Sequence, residues 1–285
     1  MIRSEEVELA QGKVRYREQG EGEPIVFVHG YLVDGRLWSD TAETLAGAHR
    51  CILPDWPLGA HRVPMRTDAD LSPPGIADLI ADFLDALDLN EVTIVGNDTG
   101  GAMSQILVTR RPERVGRLVL TNCDSHENFP PSIAKLMPPL ARVPGAMAAI
   151  GLPLRIGALR RAAFAPFAKS KIPPELIDSW MEPSQRDSGV RRDVKKVTAG
   201  LHKRYTLEAA EKLARFDRPT LLAWAPEDPF FKLAYAKRLA ETIPDARLET
   251  IPDAKTFVPL DQPQRLAELI GSFVGASQPK AASTG

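Results

Sequence analysis

Short apolar runs alternate with segments of helical periodicity along most of this 285-residue chain. The apolar runs are typical of strands that are covered on both faces, and they occur at Pro24–Val28, Cys51–Leu53, Val92–Val95, Leu118–Thr121, Thr220–Trp224 and Arg247–Ile251. Helical spacing of apolar residues lies between or after them, at Leu37–Ala46, Pro73–Leu89, Lys232–Thr242 and Pro263–Val274. This alternation predicts a parallel sheet with helices on both faces.

Two segments depart from the alternation. Near the start, Val7–Leu9 and Lys13–Glu18 alternate around a Gln-Gly pair, which predicts a β-hairpin and brings the expected strands to eight. From residue 124 to about 215 no strand pattern occurs, and prolines separate short helical pieces. We therefore predict a core formed by residues 1–123 and 216–276, an inserted helical cap at 124–215, and a disordered tail at 277–285.

A glycine-rich turn with the pattern Gly-x-Asp-x-Gly follows the strand Val92–Val95, at Gly96, Asp98 and Gly100. So sharp a turn strains its apex residue, and flanking glycines let the backbone pass closely. The Asp98 carboxylate is expected beside a helix N-terminus, where backbone N–H groups favour its ionised form. Two plainer interpretations stay open: Asp98 or Thr99 as a helix N-cap, and a dinucleotide loop whose second glycine is replaced by Asp98.

The composition excludes several functional classes. The formal charge of −1 provides no broad field for nucleic acid. No apolar run reaches membrane-spanning length, and the first residues lack the apolar stretch of a signal peptide. Cys51 and Cys123 fall in separate strands, which predicts free thiols in a reducing compartment, and no residue cluster suggests a metal site. We expect a soluble cytoplasmic monomer or homodimer that binds neither nucleic acid nor membranes.

Four motifs lie where predicted strands end, at the edge where sheets of this kind bind ligands. They are His29-Gly30-Tyr31 with Trp38 beyond it, the turn Gly96–Gly100, the segment Ala225–Phe230 with Asp228, and the segment Pro252–Pro263. Together they resemble the α/β-hydrolase superfamily over nearly the whole chain, and its aspartate-nucleophile branch, which includes haloalkane dehalogenases and epoxide hydrolases. The resemblance implies an α/β-hydrolase fold with a nucleophile elbow at Asp98, an oxyanion-hole segment at Gly30 and Tyr31, and Asp228 as the triad acid.

The fourth motif departs from the family pattern. Alignment on Phe257 and Pro263 places Lys255 where relatives carry the catalytic histidine. Two neighbouring carboxylates would keep the Lys255 amine protonated, so it is expected to be a poor general base. His61 and His126 follow strands at the same sheet edge, and each is interpreted either as a substitute base or as an exposed polar loop residue.

The resemblance implies a cofactor-independent hydrolase for a small, rather apolar substrate with a halide, epoxide or ester-like group. Asp98 would attack carbon and form an ester that water then cleaves. The backbone N–H groups of Tyr31 and Thr99 are the expected oxyanion donors, and Trp38 either contacts substrate or packs in the core. Two other functions stay open: a proton-transfer lyase or isomerase that uses Asp98 as its shuttle, and a ligand-binding protein that has lost catalysis.

Overall fold

The structure, a computed structural model, describes residues 2–276, and within them eight strands form one sheet. The strands are β1 (Arg3–Leu9), β2 (Gly12–Gln19), β3 (Glu23–Val28), β4 (His49–Pro54), β5 (Val92–Asp98), β6 (Val115–Cys123), β7 (Thr220–Trp224) and β8 (Ala246–Thr250). Their spatial order is β1-β2-β4-β3-β5-β6-β7-β8. Only the β1–β2 and β2–β4 pairs of this described sheet are antiparallel. The predicted eight-stranded, mostly parallel sheet is confirmed.

Helices cover both faces of the sheet. In chain order they are α1 (Ser39–Leu45), α2 (Pro73–Ala86), α3 (Thr99–Arg110), α4 (Met137–Arg142), α5 (Ala146–Gly151), α6 (Gly157–Phe164), α7 (Pro174–Arg186), α8 (Ser188–Gly200), α9 (Arg204–Leu213), α10 (Leu233–Thr242), α11 (Val258–Asp261) and α12 (Pro263–Ala276). On one face, α1 and α12 pack around Phe27 and Trp38. On the other face, α2, α3 and α10 pack around Trp56 and Phe83. The central strand β5 is buried along its whole length, in agreement with its β-branched sequence.

Several element boundaries differ from the predictions, and two of them lie close to the candidate site. The strand predicted at Val92–Val95 continues through the turn as far as Asp98. The helix predicted at Leu37–Ala46 is a short 3-10 turn at Gly35–Trp38 followed by α1. That turn begins at Asp34, whose Oδ1 accepts hydrogen bonds from the backbone N–H and the Nε of Arg36, each at 3.0 Å. The tail predicted at 277–285 lies outside the described residues.

In the described chain the segment between β6 and β7 contains helices α4–α9 and, apart from one isolated bridge, no β-structure. We call residues 124–215 the helical insertion. Three side-chain contacts that tie it to the core illustrate its position: Trp180 Nε1 donates to Asp34 Oδ1 at 3.2 Å, and Asp193 Oδ2 accepts from Met65 N at 2.7 Å. The third joins the Tyr31 hydroxyl to Thr198 Oγ1 at 2.5 Å. The insertion therefore packs on the loops that follow β3 and β4.

The state of the two cysteines and the length of the helices were also predicted from the sequence. Cys51 in β4 and Cys123 in β6 are buried free thiols, as predicted, and burial raises the pKa of both. Among residues 2–276, no helix combines the length and the apolar character needed to cross a bilayer.

Candidate active site

Asp98 lies at the apex of the turn between β5 and α3, with φ 53° and ψ −132°. A positive φ is uncommon for a residue with a side chain and costs about 1–3 kcal/mol, so the surrounding structure must hold it. Gly96 and Gly100, on either side of Asp98, let the neighbouring backbone pack closely enough to hold this conformation. A Cβ on Gly96 would lie 2.6 Å from Ser104 Oγ, and one on Gly100 would lie 2.2 Å from the carbonyl oxygen of Val28. This geometry is that of a strained elbow, and it is not an ordinary helix cap because the Asp98 side chain caps no helical N–H of α3.

The loop after β3 reaches this carboxylate. The backbone N–H of Tyr31 donates to Asp98 Oδ2 at 3.1 Å. A Cβ on Gly30 would lie 2.1 Å from the same oxygen, so the loop approaches closely only because residue 30 is glycine. The backbone N–H of Thr99, at the start of α3, also lowers the pKa of Asp98. The structure thus brings Gly30 and Tyr31 against Oδ2 of Asp98, with Thr99 next to Asp98 in the chain.

Trp38 does not join this group. Its side chain is fully buried in the core against Phe27, with ring centroids 5.0 Å apart. The structure therefore agrees with the core-packing alternative for Trp38.

Asp228 follows β7 and is buried, and four donors hold its carboxylate. Its Oδ1 accepts from the backbone N–H groups of Phe230 at 2.7 Å and Phe231 at 3.1 Å. Its Oδ2 accepts from Asn122 Nδ2 at 3.0 Å and from Thr256 Oγ1 at 2.9 Å. Burial raises the pKa of Asp228, and the hydrogen bonds from these four donors lower it. An acid oriented in this way matches the position expected for a triad acid.

The structure places Thr256, and not Lys255, against this acid. The Thr256 side chain is fully buried, and its carbonyl oxygen accepts from Asn97 Nδ2 at 2.7 Å. Lys255 is partly exposed, and its backbone N–H donates to Asp261 Oδ2 at 3.0 Å. The alignment that assigned the histidine position to Lys255 is thus corrected by one residue. A hydroxyl, which is a far weaker base than an imidazole, occupies the position that faces the acid.

Neither substitute-base candidate forms a hydrogen bond with Asp98 or Asp228 in the described part of the chain. His61 is buried, and its Nε2 lies 3.3 Å from Asp193 Oδ2 on α8. His126 is also buried, and its Nδ1 lies 3.3 Å from Ser125 Oγ. Neither is an exposed loop residue, so that alternative is corrected for both. In this structure His61 joins the core to the helical insertion.

His29 supports the loop that carries the Tyr31 amide. Its Nε2 accepts from the backbone N–H of Trp56 at 2.8 Å, so Nδ1 carries the proton and donates to the Gly30 carbonyl oxygen at 2.9 Å. Burial lowers the pKa of His29 to about 4, which keeps the ring neutral near pH 7. The neutral His29 ring therefore links the backbone of Trp56 to that of Gly30 by two hydrogen bonds.

Burial raises the pKa of Asp98 to about 7. The negative charge of Asp228 contributes to this rise, whereas the Tyr31 and Thr99 amides oppose it. The expectation that the helix N-terminus would keep Asp98 ionised is therefore only half right, because desolvation outweighs the amides. Asp98 therefore titrates much nearer to neutral pH than an ordinary carboxyl group does.

Asp124 is a residue of this site that sequence reasoning missed. It is fully buried directly after β6, and its Oδ2 lies 3.3 Å from the Thr99 hydroxyl, which donates to it. Burial, with the neighbouring Asp98 charge, raises the pKa of Asp124 well above its usual value. Its position at the carboxyl end of a central strand, next to the elbow strand, was the available signal.

A cavity of about 740 Å³ opens between the Tyr31 loop and the helical insertion. Tyr31 and Leu32 line it on the core side, and residues from the segment 137–155 and from α7 and α8 line the rest. Its volume falls within the range of about 300–1,000 Å³ found for small-molecule sites. No group of His, Cys, Asp and Glu residues suited to a metal ion occurs within residues 2–276.

Comparison with known proteins identifies the family of this fold. Residues 23–263 match the family model described as alpha/beta hydrolase fold. The chain belongs to the α/β-hydrolase fold family. Haloalkane dehalogenase 2 of Mycobacterium bovis is 28% identical over 275 residues, which cover 92% of this chain and 91% of that protein. A cis-3-alkyl-4-alkyloxetan-2-one decarboxylase of Shewanella oneidensis is 24% identical over 275 residues, covering 92% and 85%.

A solved member of the same fold is haloalkane dehalogenase DatA from Agrobacterium tumefaciens C58. It superposes with a TM-score of 0.80 at 22% identity, and the match covers 97% of both chains. At that level of identity the likeness shows the α/β-hydrolase fold alone. The chain therefore has this fold and has haloalkane dehalogenases among its relatives. Its chemistry must be inferred from its own residues.

Proposed function

We propose that this α/β-hydrolase-fold protein is an enzyme that uses Asp98 as a nucleophile toward carbon in a small, apolar halide, epoxide or ester-like substrate. The observation that carries the proposal is the Tyr31 amide 3.1 Å from Asp98 Oδ2 at a strained elbow. In the first step a carboxylate oxygen of Asp98 bonds to the substrate carbon, and halide leaves with the electron pair of the broken bond. The product is an ester of Asp98.

The second step would require water to attack that ester. A general base suited to this step has a pKa near the working pH, and histidine is the usual choice. Thr256 donates its proton to Asp228 and has no basic nitrogen, and none of the described histidines forms a hydrogen bond with Asp98. We therefore expect a long-lived ester: the incomplete triad supports one chemical event per chain and very slow release.

A second candidate function is proton transfer without hydrolysis. Its support is the pKa of about 7 at Asp98, which suits a group that both accepts and donates a proton near neutral pH. One relative is named as a decarboxylase of an oxetan-2-one, so lyase chemistry occurs among proteins similar to this chain. In this case Asp98 would carry the proton and no stable ester would form.

Intact-mass measurement after incubation with 1-bromobutane and with 1,2-epoxybutane tests both proposals. We expect one adduct per chain, mapped to the peptide that contains Asp98, and no adduct on the Asp98→Asn variant. Turnover without an adduct would indicate a replacement base and contradict the slow-release expectation. Neither an adduct nor turnover, combined with saturable protection of the fold by ligand, would favour a binding protein that has lost catalysis.

A further inference from the structure

One part of the cavity beside Tyr31 is lined by apolar side chains. Its walls carry aliphatic and thioether side chains that are buried or half-buried: Met137, Met147, Ile150, Leu154, Met181 and Val194. Such walls favour the burial of a hydrocarbon chain, because they offer no hydrogen-bonding groups that a polar ligand could use. Tyr31 lies at the core side of the same cavity and also donates its backbone N–H to Asp98. It therefore links the cavity to this carboxylate, which is not itself among the lining residues of the described chain.

The second part of the cavity is cationic. Among its lining residues, Arg155, Arg191, Arg192 and Lys195 are basic and none is acidic. Arg155, Arg191 and Lys195 are exposed, so they form a rim where the apolar walls reach solvent. We call these three residues the basic rim.

The charges of the basic rim are not neutralised within the described chain. No ion pair links Arg155 or Lys195 to an acidic group of residues 2–276, and the bonds of Arg191 Nη1 go to the neutral carbonyl oxygens of Ser184 and Gln185. Arg192 differs, because Asp193 pairs with it at 2.8 Å. The segment 128–174, which forms much of the wall, contains seven Lys and Arg residues and no Asp or Glu. Two of these cations, Arg160 and Lys169, pair with acids from outside the segment. The mouth of the cavity therefore carries an uncompensated positive field.

We infer that this cavity binds an aliphatic molecule with a terminal anionic group such as a carboxylate. The hydrocarbon part lies against the apolar walls, with its reactive carbon toward the Tyr31 end, and the anionic group remains at the basic rim. This inference rests on the proposed function and deepens it, since it names a substrate class for a cavity that shares Tyr31 with the Asp98 site. A charged group left at a partly solvated rim keeps its hydration while it gains attraction to the guanidinium and ammonium groups.

The test compares two reagents with the same reactive carbon, 6-bromohexanoate and its methyl ester, in which a methyl group removes the negative charge. The rate of Asp98 labelling at sub-saturating reagent is measured by intact mass on the full chain. We expect the carboxylate to label about tenfold faster than the ester, as is typical of a charge-assisted hydrogen bond, and the preference to fall at high salt. In the double variant Arg155→Gln/Lys195→Gln the preference disappears, because labelling by the carboxylate falls toward the rate of the ester. Lys237→Gln, an exposed lysine of α10 away from the cavity, is the matched control and keeps the preference.

Reversible binding of octanoate and methyl octanoate, measured by calorimetry on the same proteins, separates this inference from the proposed nucleophile. Octanoate binding that weakens in the double variant, without any labelling of Asp98, would support the anionic substrate class and contradict the nucleophile. Equal labelling by both bromo reagents, with no advantage for octanoate, would overturn the anionic class and leave the nucleophile standing. A preference for the carboxylate over the ester that persists in the double variant would also overturn the anionic substrate class.

Discussion

The Thr256 hydroxyl donates a 2.9 Å hydrogen bond to Oδ2 of Asp228, so the buried acid of this site orients a hydroxyl group. The three other donors to Asp228 are two backbone N–H groups and the amide of Asn122. None of these groups takes up a proton near neutral pH. The Asp228 carboxylate is thus held by four hydrogen bonds, and none of its partners can serve as a general base.

Replacement of Thr256 by histidine should supply the missing base. In Thr256→His the imidazole lies beside Asp228, which can hold the tautomer that accepts a proton from water. We expect repeated release of bromide from 1-bromobutane, where the wild type stops after one event. Lys255→His is the matched control, since residue 255 does not contact Asp228, and it should behave as the wild type. Similar circular dichroism spectra would establish that both variants fold, and a folded Thr256→His variant without turnover would contradict this account.

The rate of Asp98 alkylation should depend on pH with a midpoint near 7. Only the ionised carboxylate attacks carbon, and burial raises its pKa to about 7. The observed rate constant with 1-bromobutane, which does not titrate, should rise about tenfold per pH unit below the midpoint and level off above it. A plateau that already begins near pH 4 would show that Asp98 is not desolvated as described.

The elbow and the sheet could be predicted because their signals are local. Gly96, Asp98 and Gly100 are close in sequence, and a buried strand must precede such a turn. The residue that faces Asp228 could not be placed in the same way. It lies in a loop between β8 and α11, where no periodic pattern fixes the register, and a shift of one position exchanges a buried Thr256 for a partly exposed Lys255.

Asp98→Asn should stabilise the fold at alkaline pH more than at acidic pH. A carboxyl group whose pKa is higher in the folded state than in the unfolded state stabilises fully below its unfolded pKa of about 4, and this contribution is lost as pH rises through 7. The unfolding free energy lost in this way is on the order of 4 kcal/mol. A protein with asparagine at position 98 does not lose it, because asparagine does not titrate. Urea unfolding of both proteins at pH 5 and pH 8 measures the difference. An equal effect at both values would contradict the raised pKa.

Gly30→Ala should disrupt the site and the local packing. The new methyl group would lie 2.1 Å from Asp98 Oδ2, so the Tyr31 loop must move away from the carboxylate. We expect a loss of about 1–3 kcal/mol in unfolding free energy and little labelling of Asp98. Gly47→Ala is the control, because its Cβ meets no atom within 4 Å, and it should change neither quantity measurably. Normal labelling in Gly30→Ala would mean that the amide contact is dispensable.

The contacts that sequence reasoning missed join residues that lie far apart in the chain. His61 meets Asp193 across 132 positions, and that pairing removes His61 from consideration as a base near Asp98. Asp124 could be seen as a polar residue after a strand, yet its effect on the site depends on complete burial beside Thr99. Burial and long-range pairing follow from the packed fold, so they become visible only in three dimensions.

The bromide released per protein chain from 1-bromobutane, followed over time, tests most directly the claim that Asp98 attacks carbon and the resulting ester persists. The account predicts a burst that ends at one bromide per wild-type chain and is absent in Asp98→Asn. Continuous release beyond one equivalent would show that a competent base exists in this site. The absence of any release, from fully folded protein at pH 8, would show that Asp98 is not a nucleophile.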